Sequence, residues 1–220
     1  ELLLCPPNHF SVSYVINPRM EGNTNRAAHA HAVAQWQNLA RALREHATVE
    51  IVAPQPGLPD MVFTANAGIV LGRRVILSRI LHRERQGEEP HFRQWFAEHG
   101  FTVEELTADL PFEGAGDALF QRGGEPWLWA AYGFRTELNA HPVLAERLGV
   151  ARVHERHARM ADPHGHREAG VVEVQDRDLH LADVERPLLE IDEADVPAHV
   201  LHLDGEEVVG HLPLEHLADA

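Results

Sequence analysis

Lysine is absent from this chain of 220 residues, so all 19 side-chain charges of the Lys and Arg class are arginines. Against them stand 34 acidic residues, a formal net charge of −15, which argues against a nucleic-acid partner because neutralising phosphates needs clustered basic side chains. A field of that sign favours cationic ligands. Cysteine occurs once, at Cys5, which excludes an internal disulfide framework. Apolar runs are short, as in Val75-Ile76-Leu77, and none approaches the ~20 residues that cross a bilayer. No leader of basic and apolar regions is present either, so the expectation is a soluble, cytoplasmic protein with no membrane partner. The opening Glu1-Leu2-Leu3-Leu4 reads as a start that has lost its natural first residues.

Aromatics disappear part-way along the chain: all 8 Phe, 4 Trp and 2 Tyr lie at or before Phe134. Residues 151–220 instead hold 17 acidic residues against 6 Arg, and 9 of the 17 histidines. Aromatic side chains dominate core energetics, so packing here must rest on Val, Leu and Ala or stay loose. The expected division is therefore an α/β region over 1–150 and an acidic, His-rich, aromatic-free segment over 151–220.

Within residues 1–150, strand and helix periods alternate. His9–Ile16 reads as a strand from the alternation of Phe10, Val12, Tyr14 and Ile16. Ala32, Trp36, Leu39 and Leu43 mark an amphipathic helix over about Ala28 to Glu45. Val49–Val52 is a short strand ended by prolines. Val62–Val70 and Arg74–Ser78 form an expected hairpin turning at Leu71-Gly72-Arg73. A helix is expected from Gly87 to Glu98, with Phe92, Trp95 and Phe96 on one face and Gly100 closing it. Strands are expected at Thr102–Leu106, near Phe112, at Ala118–Phe120 and at Trp127–Ala131. The hairpins exclude a purely parallel doubly wound sheet.

Two segments look like a site: Pro59 to Gly68, and Phe112-Glu113-Gly114-Ala115-Gly116-Asp117. Each sets acidic or amide side chains beside small residues, at the end of an apolar run. Carboxylates placed where glycine lets the backbone come close suit a planar cation gripped through several N–H groups, and a guanidinium is the commonest such ligand.

Together with Cys5 to Phe10, Glu84-Arg85-Gln86-Gly87-Glu88 and Tyr132-Gly133-Phe134-Arg135, these segments resemble the guanidine-modifying enzyme superfamily over residues 1 to about 150. That superfamily comprises arginine deiminases, dimethylarginine dimethylaminohydrolases, amidinotransferases and arginine dihydrolases. The resemblance implies an incomplete α/β-propeller of pentein type, built from repeated strand-rich ββαβ-like units. It implies hydrolysis at the guanidinium carbon of arginine or methylated arginine, with amidinotransferase as an alternative, a small-molecule substrate, no cofactor and no resident metal. Homo-oligomerisation is left open. By the same resemblance Asp60 holds the substrate amino group and Phe63 packs on its aliphatic stem. Asn66, where the superfamily usually has Asp, looks like the arginine dihydrolase branch. Arg85 and Arg135 contact the substrate carboxylate, Glu113 pairs with the guanidinium or a catalytic His, and Asp117 supports the site.

Trp127, Trp129 and Tyr132 alternate within a strand and read as core. Cys5 reads as a small buried hydrophobe and not as the nucleophile, which the superfamily places near its C-terminus. No cysteine follows it, and the aromatic-His-Leu-Asp motif is missing: Asp162-Pro163-His164-Gly165-His166 stands in its place, and His202-Leu203-Asp204 comes roughly forty residues too late to match. Without a thiolate the covalent route is closed to this chain, so its activity is expected to be impaired. Three explanations compete. An altered reading frame over the last third is preferred, followed by an arginine-binding pseudoenzyme and by a metal-assisted hydrolase using His154-x-x-His157 and His164-x-His166.

Overall fold

A computed structural model describes residues 1–17, 20–25, 28–107, 109–121, 127–150 and 152–157, and the backbone of 177–180. All of these fall in one compact unit, Glu1–Leu189.

The chain begins with β1 (Leu2–Leu4), α1 (His29–Arg44) and β2 (Val49–Ile51), where β1 and β2 pair in parallel as a two-stranded sheet. Next come β3 (Gly68–Leu71), β4 (Arg74–Leu77), α2 (Glu89–Glu98) and β5 (Thr102–Glu105). β3 and β4 form an antiparallel hairpin, and β5 returns through α2 to lie parallel to β4. The same ββαβ order then recurs in β6 (Ala118–Phe120), β7 (Trp127–Tyr132), α3 (Ala140–Leu148) and β8 (Arg152–His157), with β9 (Arg177–His180) added antiparallel to β8. The expected α/β class and its repeated ββαβ units are present, and no closed barrel is seen among the described residues. β8 continues the sheet past residue 150 by pairing with β7 along Trp127–Tyr132. Apart from β8 and β9, the segment over 151–220, including its His-Leu-Asp triplet and its His164 pair, lies outside the described residues.

Residues on the two faces of β4 enter different cores. Val75 and Leu77 pack with Cys5, Val52, Met61, Phe92, Trp95 and Phe96, whereas Ile76 packs with Phe112, Leu128, Leu144 and Val153. A strand buried on both faces has no polar alternation, which explains the unbroken Val75-Ile76-Leu77 run. The second core is closed by Ala140, Leu144, Ala145, Leu148, Val150 and Val153, so aliphatic packing does carry the fold where aromatics stop. α3 is an element that the sequence reading did not assign, and Gly149 in the left-handed region at φ 69° ends it.

Three local expectations are corrected. His9–Ile16 is irregular rather than a strand, because Phe10, Val12 and Ile16 line a cavity. Residues from Pro59 to Ala67 form two short 3-10 turns, and the hairpin arm starts only at Gly68. On α1, Leu39 is 53% exposed, and Ala40 is the residue that is buried.

Candidate functional site

The two segments singled out above lie against each other. Backbone bonds between Arg79 and Phe112, at 2.8 and 2.9 Å, tie the end of β4 to the strand-like residue before Glu113. Gly114 then turns at φ 57°, and a Cβ there would lie 2.7 Å from the Gly68 nitrogen. Glycine is required on both counts. Asn66 donates from Nδ2 to the Glu113 carbonyl at 3.3 Å, which closes the join.

Beside this join is a cavity of about 300 Å³. Asp60, Phe63, Asn66, Arg85, Glu113 and Arg135 line it, with Phe10, Val12, Ile16, Met20 and Phe134 as apolar wall and Asn17 and His82 as further polar groups. Six of the seven residues expected from the sequence therefore border one space. Asp117, the seventh, stands behind it and accepts from Arg135 and from the Thr136 hydroxyl.

Arg85 organises the buried charge. Its Nε and Nη2 grip both oxygens of Glu88 at 2.9 Å each, Nη1 reaches Asn66 Oδ1 and Glu113 Oε2 at 3.3 Å each, and Nη2 also reaches the Asp60 carbonyl at 3.5 Å. All five N–H groups of a guanidinium are thereby engaged by the protein. The sequence reading gave Arg85 to a substrate carboxylate, whereas this arrangement turns it toward the chain's own carboxylates. Arg135 reaches Glu113 Oε2 at 3.2 Å and stays partly open, its side chain 27% exposed.

Asp60, Glu88, Glu113 and Asp117 face Arg85 and Arg135, which leaves two carboxylates in excess. Burial pushes the Asp60, Glu88 and Glu113 carboxyls above the usual carboxylate range, although Arg85 pulls each back. For Arg85 burial works against the charge, but its bond to Glu88 and the surrounding carboxylates prevail and raise it. Glu113 is fully buried, and its Oε1 has no hydrogen-bond partner among the described residues. A buried carboxylate oxygen left without a donor is costly unless a ligand supplies one.

Several contributors escaped the sequence reading. Glu88 was quoted but given no role, although its position three residues after Arg85 is the spacing of a local ion pair. Tyr14 was taken for a strand residue, yet its hydroxyl donates to Asp60 Oδ2 at 2.9 Å. His82 had no sequence signal. Cys5 is 1% exposed, packs among Val52 and Met61, and has a thiol pushed up to about 12 by burial and by nearby Glu88. A thiol with that environment is inert as a nucleophile. The His154-x-x-His157 pair cannot grip one metal, because residues three apart on a strand face opposite sides. Accordingly His154 lies on Trp129 and His157 on Tyr132, and no metal-binding group of three occurs among the described residues.

Comparison with known proteins places the chain in a family. Residues 9–153 match the family profile for eukaryotic N,N dimethylarginine dimethylhydrolase. The chain belongs to that family. The bifunctional arginine dihydrolase/ornithine cyclodeaminase AgrE of Nostoc sp. is 62% identical to it over 148 residues, 67% of this chain and 21% of that protein. The N(G),N(G)-dimethylarginine dimethylaminohydrolase of Mycobacterium tuberculosis is 37% identical, over 67% of this chain and 47% of its own length. Among solved structures, the N-terminal domain of the cyanobacterial arginine dihydrolase ArgZ, with a cysteine replaced by serine and substrate bound, superimposes with a TM-score of 0.68. It is 58% identical, and the match covers 70% of this chain and 56% of that domain. The match thus spans 21% to 56% of the length of these proteins, which are arginine dihydrolases and a dimethylarginine dimethylaminohydrolase. No helix among the described residues is long and apolar enough to cross a membrane.

Proposed function

We propose that the chain carries the substrate cradle of an arginine-guanidine hydrolase and binds L-arginine without turning it over. The observation that carries this reading is Glu113: a buried carboxylate in an acid-rich cluster, among the residues that line the cavity, with Oε1 unpartnered among the described residues. A guanidinium there would donate to Oε1 and neutralise part of the excess negative charge. Asp60, held by Tyr14, would take the α-amino group, and Phe63, half exposed against Phe10, would cover the aliphatic stem. Arg135, with Asp117 behind it, is the guanidinium better placed for the substrate carboxylate. Arg85 acts indirectly, by holding Glu113 and Asn66. Arginine is preferred over its dimethylated form because Asn66 stands in the cluster, as in the dihydrolase branch, and because two relatives of 62% and 60% identity are arginine dihydrolases.

Attack on the guanidinium carbon needs a thiolate, and the only cysteine of this chain is Cys5, packed in the core. Binding alone is what these residues are equipped for. In architecture, the β1-α1-β2 segment and the two ββαβ units fit consecutive blades of a pentein-type α/β-propeller. Titration calorimetry of the 220-residue chain with L-arginine and with asymmetric dimethylarginine tests the reading, alongside assays for ornithine, citrulline and ammonia. Heat of binding for arginine with no product is expected. Absence of binding to both ligands overturns the cradle, and steady product formation overturns the claim that turnover is missing.

A further inference from the structure

Each ββαβ unit lays its helix on one face of its own sheet: α2 meets Val75 and Leu77 of β4, and α3 meets Leu128 and Ala130 of β7. The opposite face of the first sheet is covered too, by the helix of the second unit. There Ile69 and Ile76, directly opposed in β3 and β4, pack with Ala140, Leu144, Ala145 and Leu148 of α3. Arg74, on the same face as Ile76, donates from Nη2 to the Arg147 carbonyl in the last turn of α3 at 2.8 Å. Arg147 Nη1 in turn donates to the Glu105 carbonyl of β5 at 2.7 Å. Among the described residues the second sheet has no such cover. Leu119 opposes Trp129 in β6 and β7 as Ile69 opposes Ile76, yet Leu119 is 60% exposed where Ile69 is 2%. Neither core takes in Leu119, Trp127 or Trp129, so the two tryptophans expected as core stand half-buried on the outer face.

Arg152 lies over the Trp127 ring at 5.4 Å, Arg156 over Trp129 at 5.6 Å, and His154 rests against Trp129 at 4.2 Å. The result is an aromatic face carrying guanidiniums, in a chain whose formal net charge is −15. Three strands ~4.8 Å apart give it a width of about 10 Å, that of one helix. Trp and Arg are also the residue types that most often carry binding energy at interfaces. We propose that the outer face of β6, β7 and β8 docks an amphipathic helix of a partner protein, apolar along its centre and acidic along its margins. That helix takes the place on the second sheet that α3 takes on the first, with its carboxylates on Arg152 and Arg156. A second copy of this chain is the poorer occupant. α1, where only Ala40 is buried, has a face to offer, but it contains no acidic residue and its last turn holds Arg41 and Arg44. It would set guanidinium against guanidinium. A nucleic-acid strand would suit the stacking rings, but the acidic chain around them repels it.

The test uses the whole chain and two fluorescein-labelled helical peptides that share one leucine stripe, the first flanked by Glu and the second by Lys, followed by anisotropy. The Glu peptide should bind, and the Lys peptide should bind at least about tenfold more weakly. Leu119→Asp should weaken the Glu peptide about tenfold, and Leu119→Ser carries this arm if Leu119→Asp does not fold. Arg156→Glu, at an exposed side chain, should weaken the Glu peptide to a similar extent while tightening the Lys peptide, which a general loss of structure would not do. No binding of the Glu peptide up to about 1 mM, equal affinity for the two peptides, or binding indifferent to these substitutions overturns the proposal. Displacement of the Glu peptide by a single-stranded oligothymidine overturns it as well and makes the face a nucleic-acid platform. Self-association of the parent chain that Leu119→Asp abolishes also overturns it, and makes the face an interface between copies.

Discussion

At Glu113 one carboxylate oxygen is shared by Arg85 and Arg135 while the other has no partner among the described residues, and burial raises the carboxyl's pKa. A raised pKa in the folded state means that the folded chain holds a proton which the unfolded chain has released. The contribution to stability is then full below the unfolded carboxylate pKa of about 4 and is lost as pH climbs through the folded value. Asp60 and Glu88 are shifted the same way. The melting temperature of the ligand-free chain should therefore fall as pH rises through that window. Glu113→Gln is neutral at every pH, so it should melt a few degrees higher than the parent near pH 8, with the gap narrowing toward pH 4. Melting curves across that range check this, and a gap that is constant or opens toward acid would contradict it. Arginine should bind E113Q at least about tenfold more weakly, because the acceptor at Oε1 loses its charge. Tyr14→Phe removes the donor that holds down the Asp60 pKa, and a roughly fivefold loss of arginine affinity is expected by calorimetry. Unchanged affinity would detach Tyr14 from the site.

Between elements, the site depends on how closely the turn at Gly114 approaches the start of β3. Gly114 and Gly72 share nearly the same backbone angle, φ 57° and 56°, yet a Cβ at Gly72 meets nothing within 4 Å while one at Gly114 strikes the Gly68 backbone. Gly72→Ala should cost about 1 kcal/mol from the left-handed conformation alone. Gly114→Ala adds a collision with main chain that has little room to move, and should cost about 3 kcal/mol or more. Urea denaturation midpoints of the two variants measure the difference, and equal shifts would show that the join yields. This join also marks the limit of what the sequence disclosed. Residue types beside glycine pointed to both halves, and Asp60, Asn66, Glu113 and Asp117 stood out as acids and amides set among small residues at the ends of apolar runs, in an order that resembles the superfamily. That the chain's own carboxylates hold Arg85 was not legible, because its partners come from positions 60, 66, 88 and 113, and only Glu88 is local. The alternation over His9–Ile16 misled for a related reason: a loop that turns apolar side chains into a cavity reads like a strand with one buried face.

Across the whole molecule, cohesion is uneven in a way that hydrogen exchange can read. β4 is flanked by β3 and β5, and β7 by β6 and β8, so each central strand has its backbone bonded on both edges and its side chains in the cores. Among the described strands β1 and β2 pair only with each other, and among the residues of α1 only Ala40 is buried. A two-stranded sheet is marginal without further packing, and local opening follows the scarcity of buried contacts. Amides of Val75–Leu77 and Leu128–Ala130 should therefore exchange only through global unfolding. Those of Leu2–Leu4 and Val49–Ile51 should open at a free energy lower by about 2 kcal/mol or more. Arginine should protect the Pro59–Ala67 and Gly114–Gly116 turns most, because the cradle is built from these segments, while leaving the β1–β2 pair nearly unchanged. If β1 and β2 proved as protected as β4, the first strand pair would be an integral part of the folding unit, and the two ββαβ units would no longer account for its stability.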